Sequence, residues 1–416
     1  RRSSDLKKLQ IQVADIIKAV REKGDMALRE FSRRFDRHEC LDFHVSQEEI
    51  RSASAKLPTT LKEDIQFSFT QIRNFALAQL KMYQNFEVET IPGVHLGQRV
   101  VPISSCAAYV PGGRYPLFCS ALMSIVPAKV AGVERVVATS PPGPDGKINP
   151  ATLFAMHLAG ADELYCLGGA HAIAALAYGT ESIRRVDKIV GPGNKYVTEA
   201  KRQLTGAVGI DLIAGPSEVL IIADDGANPR WLAADLLAQA EHDPNARAIL
   251  ISTSNKIAQQ TILELEEQLI ALETAAVARE SWELNGEIVV VNNIKVAVDL
   301  ANEHAPEHLH LHIRDPLQLV PLLKNYGSLF LGENACVVFS DKAIGTNHIL
   351  PTIGAARYTG GLSVGCFLKI LTQQRLTDQA LATIAPIAAR LALAEGMKAH
   401  ATAASIRMEK VVSSLP

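Results

Sequence analysis

Apolar residues along the first part of the chain fall on a helical period. Leu6, Leu9, Val13, Ile16, Ile17 and Val20 recur at spacings of three and four, which makes one stripe. Gly24 ends that helix, and Met26, Leu28 and Phe31 begin another stripe after it. Helical patterning continues to about Leu80, followed by shorter strand-like segments up to Val101. From Val133 the texture changes. Short β-branched runs at 133–139, 163–167, 186–190 and 219–223 alternate with helical stretches at 151–159, 170–178, 195–204 and 230–241. A second series follows, with strands at 248–252, 287–291, 309–313 and 328–331 and helices at 254–270, 294–303 and 316–324. Alternation of this kind is the signature of βαβ units around parallel sheets. The pattern predicts an α/β protein with two parallel-sheet, Rossmann-like domains, a helical N-terminal segment and a helical tail. The expected boundaries are 1–107 for the helical segment, packing on the second α/β domain, 108–221 and 222–365 for the two domains, and 366–416 for the tail.

Gly168-Gly169 and Gly191-Pro192-Gly193-Asn194 follow predicted strands, and Gly215-Pro216-Ser217 precedes one. Open α/β sheets bind ligands at strand ends, so these turns are candidate binding loops, although each is also ordinary turn chemistry. The G-x-G-x-x-G dinucleotide fingerprint is absent.

Composition narrows the function classes. Of the 416 residues, 48% are hydrophobic and 21% charged, as in globular proteins of two or more domains. A net charge of -2 gives no basic footprint for nucleic acid. No apolar run reaches membrane-spanning length, and Arg1-Arg2-Ser3-Ser4-Asp5 carries no signal-peptide core. The six cysteines include no Cys-x-x-Cys pair, as expected in a reducing cytoplasm.

Polar residues with chemical potential cluster in predicted loops and helix ends. Gln239 and His242 share a helix face, Glu307 and His308 follow Pro306, Asp341 and His348 flank a Gly-containing loop, and Glu395 and His400 lie near the C-terminus. Histidine and carboxylate suit zinc, whereas Gln is an uncommon ligand. The alternative for each is a solvated or hydrogen-bonded polar side chain. That alternative is preferred for His304 and His348. His310 and His312 alternate with Leu309, Leu311 and Ile313, which predicts a half-exposed strand with both imidazoles in solvent.

Long strings throughout the chain carry a resemblance. They are YVPGG (109–113), PAKVAGV (127–133), AIAALAYGTE (172–181), VDKIVGPGN (186–194), IAGPSEVLIIAD (213–224), DLLAQAEHD (235–243), APEHL (305–309), GTNHILPT (345–352) and EGMKAH (395–400). In these the sequence resembles the histidinol dehydrogenase family over nearly its whole length. The resemblance implies a zinc- and NAD-dependent oxidation of a primary alcohol to a carboxylate through a bound aldehyde. Gln239, His242, Asp341 and His400 match the metal ligands, and Glu307 and His308 match the catalytic pair. Ser217 and Glu395 match substrate contacts, together with His308 and the metal ligands. Tyr109 and Asn194 match cofactor contacts. His171 stands at a third cofactor position, which is usually Gln in the family. The family's homodimer with exchanged segments makes Glu395 and His400 residues that act across the subunit boundary.

Three stretches depart from the biosynthetic enzymes: Arg114-Tyr115-Pro116, the run from Gly332 to Lys342 around Asp341, and Tyr358-Thr359-Gly360-Gly361. They resemble a branch of the family that oxidises dihydroxypropanesulfonate, and Arg114 would suit its anion. L-histidinol is the first expectation and the sulfonated diol the second. A third reading, from another catalytic class, is a thiolate aldehyde dehydrogenase using Cys119 or Cys336.

Overall fold

The structure is a computed structural model that describes residues 2–412 except 38, 40, 41, 113, 114 and 214. Arg114 therefore lies outside the described residues. The chain divides into two compact units, Arg1–Leu80 with Ile103–Phe367, and Lys81–Pro102 with Leu368–Pro416.

Four helices open the first unit: α1 (Arg2–Lys23), α2 (Asp25–Phe31), α3 (Gln47–Ala55) and α4 (Thr59–Leu80). The second unit begins with the antiparallel strands β1 (Phe86–Ile91) and β2 (Val94–Pro102). Back in the first unit, β3 (Ser105–Tyr109) leads through α5 (Cys119–Ala131) to β4 (Arg135–Ser140) and through α6 (Pro150–Leu158) to β5 (Glu163–Cys166). α7 (Gly169–Tyr178), β6 (Lys188–Val190), α8 (Lys195–Leu204) and β7 (Gly209–Ile210) complete the first parallel sheet, ordered β5-β4-β3-β6-β7. The second sheet repeats the winding. It runs β8 (Glu218–Ala223), α9 (Pro229–Ala240), β9 (Arg247–Ser252), α10 (Asn255–Ala271), α11 (Ala275–Asn285), β10 (Gly286–Val290), α12 (Ile294–His304), β11 (His308–His312) and β12 (Ser328–Leu331), in spatial order β10-β9-β8-β11-β12. A short α13 (Val337–Lys342) follows. The second unit then closes with β13 (Leu368–Leu376), α14 (Asp378–Ala394) and α15 (Lys398–Val412), β13 lying antiparallel to β2.

Each parallel sheet thus starts at its centre and reverses direction once, giving a crevice between β3 and β6 in the first and between β8 and β11 in the second. The sheets are buried on both faces. Val13, Ile16 and Val20 of α1 pack with Ile173 and Leu176 of α7 and Val197 of α8 on one side of the first sheet. Leu232 and Leu236 of α9 with Leu265 of α10 cover one side of the second, and Val298, Leu319 and Leu323 the other. Among the described residues no helix is long and apolar enough to cross a membrane.

Several expectations need correction. The N-terminal stripe packs on α7 and α8 of the first sheet, not on the second domain, because its partners are the apolar faces of those helices. The strand at 219–223, read with the first series, is the central strand of the second sheet. The tail is not wholly helical, since β13 precedes its two helices. His310 and His312 are fully buried, because α9 covers the face of β11 that was expected to meet water.

Candidate active site

The first sheet offers its C-terminal edge, where binding sites of this winding normally lie. Tyr109 is the last residue of β3, and its hydroxyl accepts a hydrogen bond from the Gly169 N–H at 3.1 Å. Burial pushes its phenol up to about 12. Across the crevice, Asn194 caps α8, its Oδ1 accepting from the N–H groups of Tyr196 at 2.9 Å and Val197 at 3.2 Å. The turn before it passes hard against Tyr109. A Cβ on Gly191, whose φ is 106°, would collide with the Tyr109 carbonyl. The buried ion pair Lys201–Asp211 holds this turn, with Lys201 Nζ donating to Gly191 O at 3.0 Å and Asp211 Oδ2 accepting from Gly191 N at 2.7 Å.

His171 behaves differently. It lies in the first turn of α7, but its ring is enclosed by Phe31 and Phe35, with centroids at 5.9 and 6.1 Å. Neither ring nitrogen has a hydrogen-bond partner, the Asp36 carboxylate lying 3.8 Å from Nε2, and burial lowers its pKa to about 4.

The second sheet presents its opposite, N-terminal edge. Ser217 immediately precedes β8, His308 opens β11, and Glu307 sits in the bend before it. The chain turns there through Ala305, whose φ is +50°, and the segment entering β12 is tied to it, Gly327 N–H donating to Pro306 O at 2.9 Å. Adjacent residues usually diverge; here the main chain of Glu218 draws both inwards. Glu307 Oε2 accepts from Glu218 N–H at 2.9 Å, and His308 Nδ1 lies 2.9 Å from Glu218 O. Since a carbonyl only accepts, Nδ1 carries the proton, and Nε2 keeps a free lone pair. The neighbouring Ser217 side chain favours the charged form of Glu307.

Burial moves the two groups in opposite directions. It raises the Glu307 carboxyl well above its ordinary value, with the nearby Glu218 and Asp341 charges adding to the shift. It lowers His308, against the opposing pull of Asp341. An imidazole of lowered and a carboxyl of raised proton affinity therefore stand side by side, their nearest Nδ1 and Oε2 atoms 3.6 Å apart.

The same edge gathers further candidates. Gln239 occupies the last turn of α9, and His242 follows it, its N–H reaching Gln239 O at 3.3 Å. Asp341 on α13 and the neighbouring His242 both act electrostatically on His308 and His348. Three atoms here lack what burial demands: Gln239 Nε2, Asp341 Oδ1 and His348 Nδ1 are buried without a hydrogen-bond partner. Which end of an amide is oxygen is assigned by its surroundings, so the Gln239 orphan marks an unfilled polar position rather than a donor as such. A divalent cation suits the chemistry of this donor set, whose orphaned buried atoms call for a polar partner. Glu395 caps the end of α14 and His400 lies on α15, both exposed on the second unit.

Two structural residues were missed from sequence. Glu218, inside the quoted string at 213–224, anchors Glu307 and His308 through its backbone, a role that no side-chain pattern signals. His348, set aside as loop-ordering, lies partly buried beside Asp341, with Nδ1 4.0 Å from Asp341 Oδ1 and Nε2 2.9 Å from Ser120 Oγ. Neither cysteine suits a thiolate mechanism, since burial raises both the Cys119 and the Cys336 thiol.

The chain matches the histidinol dehydrogenase family model over residues 1–408. It is 50% identical over 403 residues to a histidinol dehydrogenase homolog of Shouchella clausii, covering 97% of this chain and 95% of that one. It is 46% identical over 389 residues to the histidinol dehydrogenase of Methanothermobacter thermautotrophicus, covering 94% and 91%. The crystal structure of histidinol dehydrogenase from Elizabethkingia anophelis superposes with a TM-score of 0.93 at 38% identity, over 97% of this chain and 93% of that one. With two identically wound sheets, a buried Glu-His pair and this extent of similarity, the chain belongs to the histidinol dehydrogenase family.

Proposed function

We propose that this protein oxidises L-histidinol to L-histidine in two hydride transfers to NAD, with one water consumed and a bound aldehyde between the steps. The pair Glu307–His308 carries this reading. His308 Nε2, left free by the Nδ1–H bond to Glu218 O, is positioned to take the alcohol proton. Glu307, whose carboxyl holds protons more tightly than usual, is suited to take one from water in the aldehyde half. Gln239, His242 and Asp341, with His400 of the partner subunit, would hold a zinc ion, and the orphaned atoms of Gln239 and Asp341 support that assignment. When bound, zinc anchors the substrate's amine and imidazole nitrogens, and NAD accepts the hydrides. Tyr109 and Asn194 would orient the cofactor at the crevice between β3 and β6, with His171 behind them. Ser217 and Glu395 would contact substrate. We place the working form in the cytoplasm as a homodimer with exchanged segments, residues 366–416 completing the partner's site.

A second reading changes only the substrate. Relatives at 50% and 49% identity are named histidinol dehydrogenase homologs, whereas the 46% identical protein of Methanothermobacter thermautotrophicus is named histidinol dehydrogenase. Together with the departures at 114–116 and 358–361, this favours testing 2,3-dihydroxypropane-1-sulfonate. The experiment compares kcat/KM for both alcohols with wild type and Arg114→Ala. Turnover of histidinol, little changed in the variant, is expected. Strong turnover of the sulfonate that falls tenfold to a hundredfold in Arg114→Ala, about the loss of one charge-assisted pair, would overturn the histidinol assignment.

A further inference from the structure

Strand β11 reads His308-Leu309-His310-Leu311-His312, and all five residues are buried. The three imidazoles share one strand face, which is turned towards α9. A helix in a βαβ unit runs antiparallel to the strands. The end of α9 bearing Gln239 and His242 therefore lies level with His308, and Asp235, one turn earlier, meets His310 and His312. Two strand residues span about 6.6 Å and four helix residues about 6 Å, so the steps match. A second polar cluster thus repeats the first one step deeper.

Its donor atoms converge. His312 Nε2 lies 3.1 Å from Asp235 Oδ2 and 3.2 Å from His310 Nδ1, and His310 Nδ1 lies 3.4 Å from the same carboxylate oxygen. A tetrahedral ion bound at roughly 2.0–2.1 Å needs ligand atoms about 3.3–3.4 Å apart, close to this triangle. Tautomers sharpen the point. His310 Nε2 lies 3.1 Å from Gly332 O, so it carries the proton, and Nδ1 faces the carboxylate as a lone pair. One proton, on His312 Nε2, is left to serve two acceptors. His312 Nδ1 has no partner, so moving that proton across the ring leaves one unpaired nitrogen before and after.

We propose that Asp235, His310 and His312 form a second divalent-metal site, distinct from the Gln239/His242/Asp341 set and suited to a zinc-like transition cation. Two imidazoles and one carboxylate are the donors of such ions, whereas calcium and magnesium require oxygen-rich shells. The hydrogen bond from His310 to Gly332 O supplies the outer support that ligating imidazoles usually have. Both histidines are enclosed, whereas the Asp235 side chain is 17% exposed, which opens a path for the ion and a water as fourth ligand. The ion fastens α9 to β11, the two elements that present Gln239, His242 and His308. It touches none of the reacting atoms.

The test uses full-length protein stripped with chelator, reloaded with zinc, desalted and analysed for metal. Wild type should hold about one equivalent more than Asp235→Asn or His312→Asn, and folded His242→Ala should still hold about one. Cobalt added to His242→Ala should give the intense visible bands of a tetrahedral site and raise Tm, and both effects should vanish in His242→Ala/Asp235→Asn. Equal zinc in wild type, Asp235→Asn and His312→Asn would overturn the proposal, as would a folded His242→Ala that takes up no cobalt. If any of the variants fails to fold, cobalt titration of wild type decides: two equivalents support the second site, and saturation at one refutes it.

Discussion

Replacing His308 by Asn separates the base from its scaffold. The Asn amide nitrogen falls close to the place of Nδ1 and can keep the 2.9 Å bond to Glu218 O. What disappears is the Nε2 lone pair. Loss of a positioned general base slows the step by about 10²–10⁴-fold, equivalent to roughly 2.7–5.4 kcal/mol of barrier. Trimming a buried imidazole also leaves a small void, with an expected stability loss of about 1–2 kcal/mol, below the usual range for Leu→Ala. His308→Ala removes the donor too, and its additional destabilisation over Asn measures the Glu218 bond at about 0.5–1.5 kcal/mol. The assay is NAD reduction with histidinol and, separately, with the aldehyde, alongside thermal unfolding. The alcohol half should show the full fall in kcat with little change in KM. A folded His308→Asn enzyme that oxidises histidinol at more than about a tenth of the wild-type kcat would refute the assignment of His308 as base.

Glu307→Gln should slow aldehyde oxidation more than alcohol oxidation, and equal effects would remove the proposed division of labour. The same variant has a stability signature in metal-free protein. A raised carboxyl pKa means that folding favours the neutral acid, so wild-type stability declines as pH rises above about 4.5 towards the folded value. The Tm of the Gln variant relative to wild type should therefore climb with pH, and a flat difference would contradict the burial argument. For the tail, mixing inactive His308→Asn and His400→Ala chains with subunit exchange should restore about a quarter of wild-type activity, since half the dimers then contain one intact site. No recovery after demonstrated exchange would place His400 in its own subunit's site.

The βαβ alternation was legible because most of the parallel strands are short β-branched runs between amphipathic helices. β3 was not, since Ser105-Cys106-Ala107-Ala108-Tyr109 contains no β-branched residue. β13 was not, because Lys369, Gln373, Gln374 and Arg375 give it the polarity of a loop, and its side chains are largely exposed. Which sheet claims β8 depends on long-range pairing with β9 and β11, and no local pattern encodes that. At the site, the Glu307–His308 pair was recognised from its string, but its convergence rests on Glu218 backbone atoms. The histidines of β11 were misjudged for a related reason. Alternation with Leu normally marks a wet face, but a central strand in a parallel sheet has none.

The opposed edges of the two sheets also fix the sign of the local field. At the first crevice α7 and α8 begin, so their positive dipole ends would favour an anion there, such as a dinucleotide pyrophosphate. At the second crevice α9 and α12 end, and they turn their negative dipole ends towards the place proposed for a cation. Each helix end contributes about 0.3–1 kcal/mol where exposed, and up to about 2 kcal/mol where partly buried. Peptide dipoles can thus favour an anion at one crevice and a cation at the other without opposing clusters of charged side chains. A chain with a net charge of only -2 can in this way carry a strongly polarised active site.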